Sequence, residues 1–139
     1  MLVEASIALG AATLLALLMM KATLLAIGGN DWTTMQTLTD ALLTRETAMA
    51  NRVPFAEIAS GTSMWPDASG GVVGAPVTIQ IGKIMGGAPV TAKLIRYRVN
   101  QANTSEPDVT LAVWRLHSVV QYNVGSNQYV KSSSTLRAQ

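Results

Sequence analysis

The chain has 139 residues, of which 49% are hydrophobic and only 13% are charged, and its net charge is +2. This length suits one domain or a small domain with an appendage, and the composition is unlike that of soluble enzymes and of disordered chains. The absence of cysteine excludes disulfides, thiolate zinc sites and thiol catalysis. A single histidine excludes a cluster of histidine metal ligands, and the small net charge does not by itself indicate nucleic-acid binding.

The segment 1–29 is almost entirely apolar. It is rich in Leu, Ala and Met, contains no proline, and carries only Glu4 and Lys21 as charged residues. As a helix, its charge-free stretch 5–20 covers about 24 Å, against a hydrocarbon core of about 30 Å, and Lys21 can extend it by reaching the headgroups. A cleaved signal peptide begins with positive charge and has a shorter apolar core. We therefore expect an uncleaved membrane helix.

Glu4 admits two interpretations. A carboxylate in the first helical turn is favoured by the helix dipole and can lie in the wet interface at little cost. Alternatively, a carboxylate buried in an apolar environment needs a cation, and the nearest candidate is the α-amino group of Met1. If the helix packs beside copies of itself, the amine of one copy can meet Glu4 of the next. The residues alone leave both interpretations open.

The start of the chain resembles a known family. Leu2-Val3-Glu4 followed by Ile7-Ala8-Leu9-Gly10 and a long apolar helix is similar to the mature N-terminus of type IV pilins and pseudopilins, over about the first 25 residues. The resemblance implies a cleaved leader, a methylated Met1 amine and a Glu4 that pairs with the N-terminus of a neighbouring subunit. The side chains expected to pack in the centre of such a filament are Ile7, Leu9, Gly10, Leu14, Leu15 and Leu18.

The chain departs from this family pattern in two respects. Glu4 is the fourth residue, whereas the family's glutamate is usually the fifth, so either one residue is missing from the start or this lineage is shorter by one. Many relatives have a proline inside the apolar helix, whereas the first proline here is Pro54. A helix break is therefore expected at Gly28 and Gly29, because paired glycines are poor helix formers. With no leader in the sequence, the chain is expected to be a mature form.

A second, amphipathic helix is predicted over 31–53. Asn30 or Asp31 can cap its start, and it ends before Pro54. Its apolar residues recur at helical spacing, which predicts a stripe laid on a sheet, with a separate ligand groove as the alternative. The residues of this stripe are Trp32, Met35, Leu38, Leu42, Ala48 or Met49, and Val53. Most polar residues, Glu46 among them, are expected on other faces.

The sequence from residue 59 onward predicts a loop followed by a sheet. Glycines, Pro66 and Pro76 make 59–76 a connecting loop, and its glycines lack the lysine and flanking elements of a phosphate-binding loop. Alternating residues over 77–137 predict four strands in two hairpins, with turns at 85–89 and 124–127 and a polar loop at 100–108. The predicted fold is therefore α+β: a long helix packed on a four-stranded, largely antiparallel sheet, as the pilin resemblance also implies.

No pattern of residues indicates catalysis. His117 lies in strand alternation, where a surface or cross-strand hydrogen-bonding role is usual, and the aspartates are scattered over separate elements. No metal is expected, because no metal-binding motif occurs, and no cofactor is expected either. A basic patch on the sheet, contributed by Lys93, Arg96, Arg98 and Arg115, is predicted either to be solvated or to pair with acids of a next subunit. Contact with DNA or another polyanion is the alternative.

The sequence therefore predicts the structural subunit of an extracellular filament, with 1–29 as the membrane and filament-core helix and 30–139 as the globular head. Its expected partners are copies of itself, the inner membrane before assembly, a prepilin peptidase, and an assembly platform with its ATPase. By resemblance the fibre serves adhesion, twitching motility or DNA uptake. The alternatives are a pseudopilin of a type II secretion system and a single-span anchored binding module.

Overall fold

The computed structural model describes residues 2–68, 70–71, 73–83, 89–101 and 112–139. Met1 and most of the turn at 85–89 and of the loop at 100–108 lie outside the described residues. The elements in chain order are α1 (Leu2–Arg52), α2 (Phe55–Ala59), β1 (Val77–Lys83), β2 (Pro89–Asn100), β3 (Val113–Val124) and β4 (Asn127–Ala138). The predicted α+β fold is confirmed: a long helix that begins as an apolar segment packs on a four-stranded antiparallel sheet.

Helix α1 runs without interruption through the paired glycines. The break predicted at Gly28 and Gly29 is absent, and no new helix begins at Asn30 or Asp31. Each glycine costs about 1 kcal/mol in a helix relative to alanine but removes no backbone hydrogen bond, so a long helix can include both. The chain divides into two compact units at another place, Met1–Met35 and Gln36–Gln139.

In the second unit, the four strands pair in sequence order, each antiparallel to the next. The pairing of β1 with β2 has a bulge between Gln80 and Gly82, whereas β3 and β4 pair over twelve residues without a shift. Gly125 begins the two-residue turn between β3 and β4 with a φ of 60°. A positive φ at the first turn position suits glycine, and this turn keeps β3 and β4 in register.

One face of the sheet packs on residues Gln36–Arg52 of α1. The predicted strand alternation is confirmed there, since Leu116, Ser118, Val120 and Tyr122 of β3 are all buried. The prediction for the helix stripe is partly wrong. Its buried positions are Thr39, Leu43, Glu46, Ala50 and, as predicted, Met35, while Leu38, Leu42, Met49 and Val53 are half-buried beside them and Trp32 is exposed.

Candidate functional site

The most prominent surface among the described residues is the exposed apolar surface of residues 3–27. Its large hydrophobic side chains are between 54% (Ile27) and 74% (Leu25) exposed. They are Val3, Ile7, Leu9, Leu14, Leu15, Leu17, Leu18, Met19, Met20, Leu24, Leu25 and Ile27. Soluble proteins do not leave contiguous apolar surface of this extent in water, so this segment needs a lipid or protein environment.

The helix is long and apolar enough to cross a membrane, and 0% of its most apolar 18-residue window is buried within the protein. Full burial of a large aliphatic side chain contributes roughly 1.5–3 kcal/mol. A dozen such side chains therefore favour transfer out of water by a gross amount well above the stability of a typical domain. The segment is thus suited to membrane association.

The two threonine hydroxyls within this segment are satisfied by the helix itself. Thr13 Oγ1 donates to the Gly10 carbonyl at 2.8 Å, and Thr23 Oγ1 donates to the Met19 carbonyl at 2.9 Å. These bonds within one helix remove hydroxyl donors that would be costly in an apolar environment. The lateral surface is therefore compatible with lipid or with another apolar helix.

The predicted packing residues lie on two sides of α1. At 100° per residue, Ile7, Gly10, Leu14, Leu15 and Leu18 share one side, and Leu9 lies on the opposite side. A Cβ added at Gly10 would meet nothing within 4 Å, so this position leaves room for close approach of another helix. Five of the six predicted residues therefore form one possible packing face.

Glu4 is exposed in the first turn of α1, where the helix dipole favours a carboxylate. Its predicted partner, the Met1 amine, lies outside the described residues. The pairing of Glu4 with a neighbouring amino terminus stays a prediction.

The predicted basic patch on the sheet is wrong in its geometry. Arg96 and Arg98 lie on the face of β2 that packs against α1 and α2, and Arg98 is only 4% exposed. Lys93 and Arg115 lie on the opposite face by strand alternation. The four cations therefore cannot bind one ligand together.

Arg96 instead forms a partly buried ion pair with Glu46 of α1. Its Nε and Nη2 atoms lie 2.6 and 2.7 Å from the two carboxylate oxygens of Glu46, which is 2% exposed. Ser118 Oγ donates to the same carboxylate at 3.4 Å and accepts from the indole nitrogen of Trp65 at 3.3 Å. This network explains why Glu46 occupies the buried stripe: its charge is compensated in a bidentate pair.

Two further arginines bind main-chain carbonyls at the ends of the helices. Arg98 donates to the carbonyls of Ile58 and Ser60 beside α2, and its guanidinium lies 4.7 Å from the ring centre of Trp114. Arg137 donates to the Ala50 carbonyl in the last turn of α1 at 2.6 Å. Cations stabilise helix C-termini because the final carbonyls lack partners in the helix. These arginines are structural. For Arg98, its even spacing from the apolar residue Leu94 in β2 was the sequence signal for an inward orientation.

His117 stacks on Tyr97, its register partner in β2, with ring centres 4.7 Å apart. Partial burial, and then the nearby positive charge of Arg115, lower the pKa of His117 below its usual value. The expected cross-strand position is therefore observed, with a ring contact. Among the described residues, no group of three or more His, Cys, Asp or Glu side chains could hold a metal ion.

No protein-family model, no curated protein and no solved structure matches this chain.

Proposed function

We propose that this protein is the structural subunit of a type IV pilus-like extracellular filament, which polymerises through the apolar part of α1. The observation that carries the proposal is the row of exposed large apolar side chains on residues 3–27, joined in one continuous helix to a head with its own core. In a membrane, lipid covers this surface; in a filament, identical helices cover it.

The polymer follows from symmetry and burial. A subunit added through the same heterologous contact each time does not close a ring and therefore grows as a helix of subunits. Burying apolar area among helices contributes about 25 cal/mol per Å², so each added subunit gains a large gross free energy. Glu4 then lies in a low-dielectric environment, where the amino terminus of a neighbouring subunit supplies the compensating cation.

The filament proposal includes the partners implied by the family resemblance. The unassembled subunit lies in the inner membrane, a prepilin peptidase processes it, and a platform with an ATPase extracts it. The fibre then lies at the cell surface, where its heads determine adhesion, motility or DNA uptake. A type II secretion pseudopilin uses the same helix packing in a short periplasmic fibre, and long surface fibres of this chain alone would distinguish a pilin from it.

The experiment compares Glu4→Ala with Glu57→Ala in cells that produce the full chain. Both carboxylates are exposed, but Glu57 belongs to α2 in the head. Electron microscopy of sheared surface material should show fibres for the unchanged chain and for Glu57→Ala, and at least a tenfold loss for Glu4→Ala.

Membrane fractions should contain each variant in equal amount, so that a loss of fibres reports assembly alone. A single-span anchored module makes a different prediction, namely no fibres from any variant and unchanged behaviour of Glu4→Ala. That result would overturn the proposal.

A further inference from the structure

Strand β4 forms one edge of the sheet, and among the described residues its backbone pairs only with β3. It is twelve residues long, has no proline, and has no bulge in its register with β3. Natural sheet edges are usually shortened, bulged, charged or interrupted by proline, because an open edge accepts another strand. The β4 edge is not short, has no bulge and contains no proline.

Every second residue of β4 directs its backbone groups outward. The Gln139 N–H donates to the Ala112 carbonyl at 3.2 Å, and the two-residue turn makes Val124 and Asn127 a hydrogen-bonded pair. Both observations assign the odd-numbered residues to the hydrogen bonds with β3. The N–H and C=O groups of the even-numbered residues, from 128 to 138, therefore face away from the sheet.

The charges of β4 lie on the helix side of the strand and are already engaged. Lys131 Nζ lies 2.8 Å from Asp40 of α1, and Arg137 donates to the Ala50 carbonyl. The even-numbered side chains, on the opposite face, are uncharged, and Val130 and Leu136 among them are 59% and 58% exposed. Both charges of this edge strand are therefore engaged within the protein, and the opposite face of the strand carries no charge.

We propose that β4 pairs antiparallel with β4 of a second copy of this chain, about a twofold axis at Ser133. In this register Val130 lies opposite Leu136 of the other copy on both sides of the axis, and Ser132 lies opposite Ser134. All four are even-numbered residues, which have the outward backbone groups that the pairing needs. Apolar pairs and hydroxyl pairs directly opposite each other stabilise antiparallel strands.

The charges disfavour two alternative registers, and the apolar pairing disfavours the one about Ser132, which would place Val130 opposite Ser134. About Ser133, Lys131 lies opposite Thr135, so no like charges meet. An axis at Ser134 would place Lys131 opposite Arg137, and an axis at Lys131 would place that lysine opposite its own copy. Like charges directly opposite each other are destabilising in a sheet.

The space beside β4 also suits an added strand. A groove of about 650 Å³ lies between α1 and β4, and its lining includes Thr44 and Thr47 of α1 and Ser132 and Ser133 of β4. The odd-numbered side chains of a second β4 point toward this groove, since they lie on the helix side of the extended sheet. The groove is therefore where those side chains would be accommodated.

The twofold axis determines the relative orientation of the two heads that this contact joins. The two helices that pack on the extended sheet run antiparallel, so the paired heads do not belong to neighbours that point the same way. The β4 edge is open whether or not the protein forms a filament. If the filament exists, the contact joins heads of two opposed fibres.

The first test uses single cysteines in the full chain, which has no cysteine of its own. In detergent micelles under mild oxidation, Ser133→Cys should form disulfide-linked dimers at least tenfold faster than Thr135→Cys. Both residues lie on the same side of the same strand, but only residue 133 lies opposite itself within disulfide range. Equal rates would overturn the proposal, and so would association that never cross-links at 133, as pairing of β4 with β1 of another copy would give.

The second test blocks the edge without touching the β3 ladder. Ser134→Pro removes one outward N–H, whereas Ser134→Ala keeps it. Sedimentation equilibrium at matched micelle concentration should show at least a tenfold weaker dimer for Ser134→Pro and an unchanged dimer for Ser134→Ala. Circular dichroism should be the same for both variants. A folded Ser134→Pro chain that dimerises normally would overturn the proposal.

Discussion

Among single side chains, Glu46 contributes most clearly to the stability of the head. Glu46→Ala leaves Arg96, whose side chain is 23% exposed, without its bidentate partner on the packed face of the sheet. Breaking a fully buried pair costs roughly 3–5 kcal/mol, and we expect about 2 kcal/mol for this partly buried pair. Asp40→Ala is the matched control, because Asp40 is 62% exposed in its pair with Lys131 and exposed pairs contribute less than about 1 kcal/mol. Denaturant unfolding of the detergent-solubilised chain, followed by near-ultraviolet circular dichroism, measures both. Equal losses would contradict the assigned role of the network.

The lowered pKa of His117 gives the stability of the head a defined pH dependence. Below its usual pKa of about 6.5, an unfolded chain binds a proton that the folded chain resists, so protons favour unfolding. The free energy of unfolding should therefore fall as the pH decreases from 7.5 to 5.5. His117→Phe keeps a ring against Tyr97 but cannot titrate. It should lose this part of the pH dependence, and an unchanged slope would show that other groups cause it.

Of the helices and strands, the sequence predicted the type of every element but α2. Apolar content predicted the first half of α1, and alternation of residues such as Leu116 and Val120 predicted the buried face of β3. Local propensity could not predict that α1 continues through Gly28 and Gly29, because the cost of two glycines is small beside the many hydrogen bonds of a long helix. The exact helix stripe was missed because Glu46 was treated as a surface residue.

Of the candidate site, too, one part could be predicted from the sequence and another could not. The apolar surface of 3–27 follows directly from composition, which is why the sequence located it. The hydrogen bonds of Arg96 and Arg98, by contrast, are made to partners distant in sequence, namely Glu46 and the carbonyls near α2. Strand alternation gives the side of the sheet on which each arginine lies, but only the packed structure gives the partner.

The continuity of α1 predicts that its glycines can be replaced. Gly28→Ala and Gly29→Ala add a Cβ that meets nothing within 4 Å, and each should stabilise the helix by about 1 kcal/mol at most. Gly74→Ala is the contrasting variant, because its Cβ would lie 2.7 Å from the backbone carbonyl oxygen of Arg96, which cannot move aside as a side chain can. The midpoint temperature of thermal unfolding, followed by far-ultraviolet circular dichroism, should rise for the two helix variants and fall for the contrasting variant. A lower midpoint for Gly28→Ala would show that the chain bends there.

For the assembled protein, the decisive property is whether the apolar half of α1 is surrounded by other helices. A lysine in that environment costs roughly 2.5–3.5 kcal/mol even at the centre of a bilayer, and in a filament every subunit would repeat the penalty. Leu14→Lys and Gly10→Lys should therefore abolish fibres in electron micrographs of surface material. Ala41→Lys adds the same charge at an exposed position of α1 in the head and should leave fibres unchanged.

Two measurements make the Leu14→Lys result interpretable. The amount of variant in the membrane fraction shows whether insertion survives, since a bilayer lets lysine reach the headgroups more easily than a packed filament core does. The Ser133→Cys cross-link should form equally fast with and without Leu14→Lys, because it reports β4 and not α1. A variant that inserts normally, cross-links normally and still forms abundant fibres would place residue 14 outside the filament core. The apolar helix would then act only as a membrane anchor.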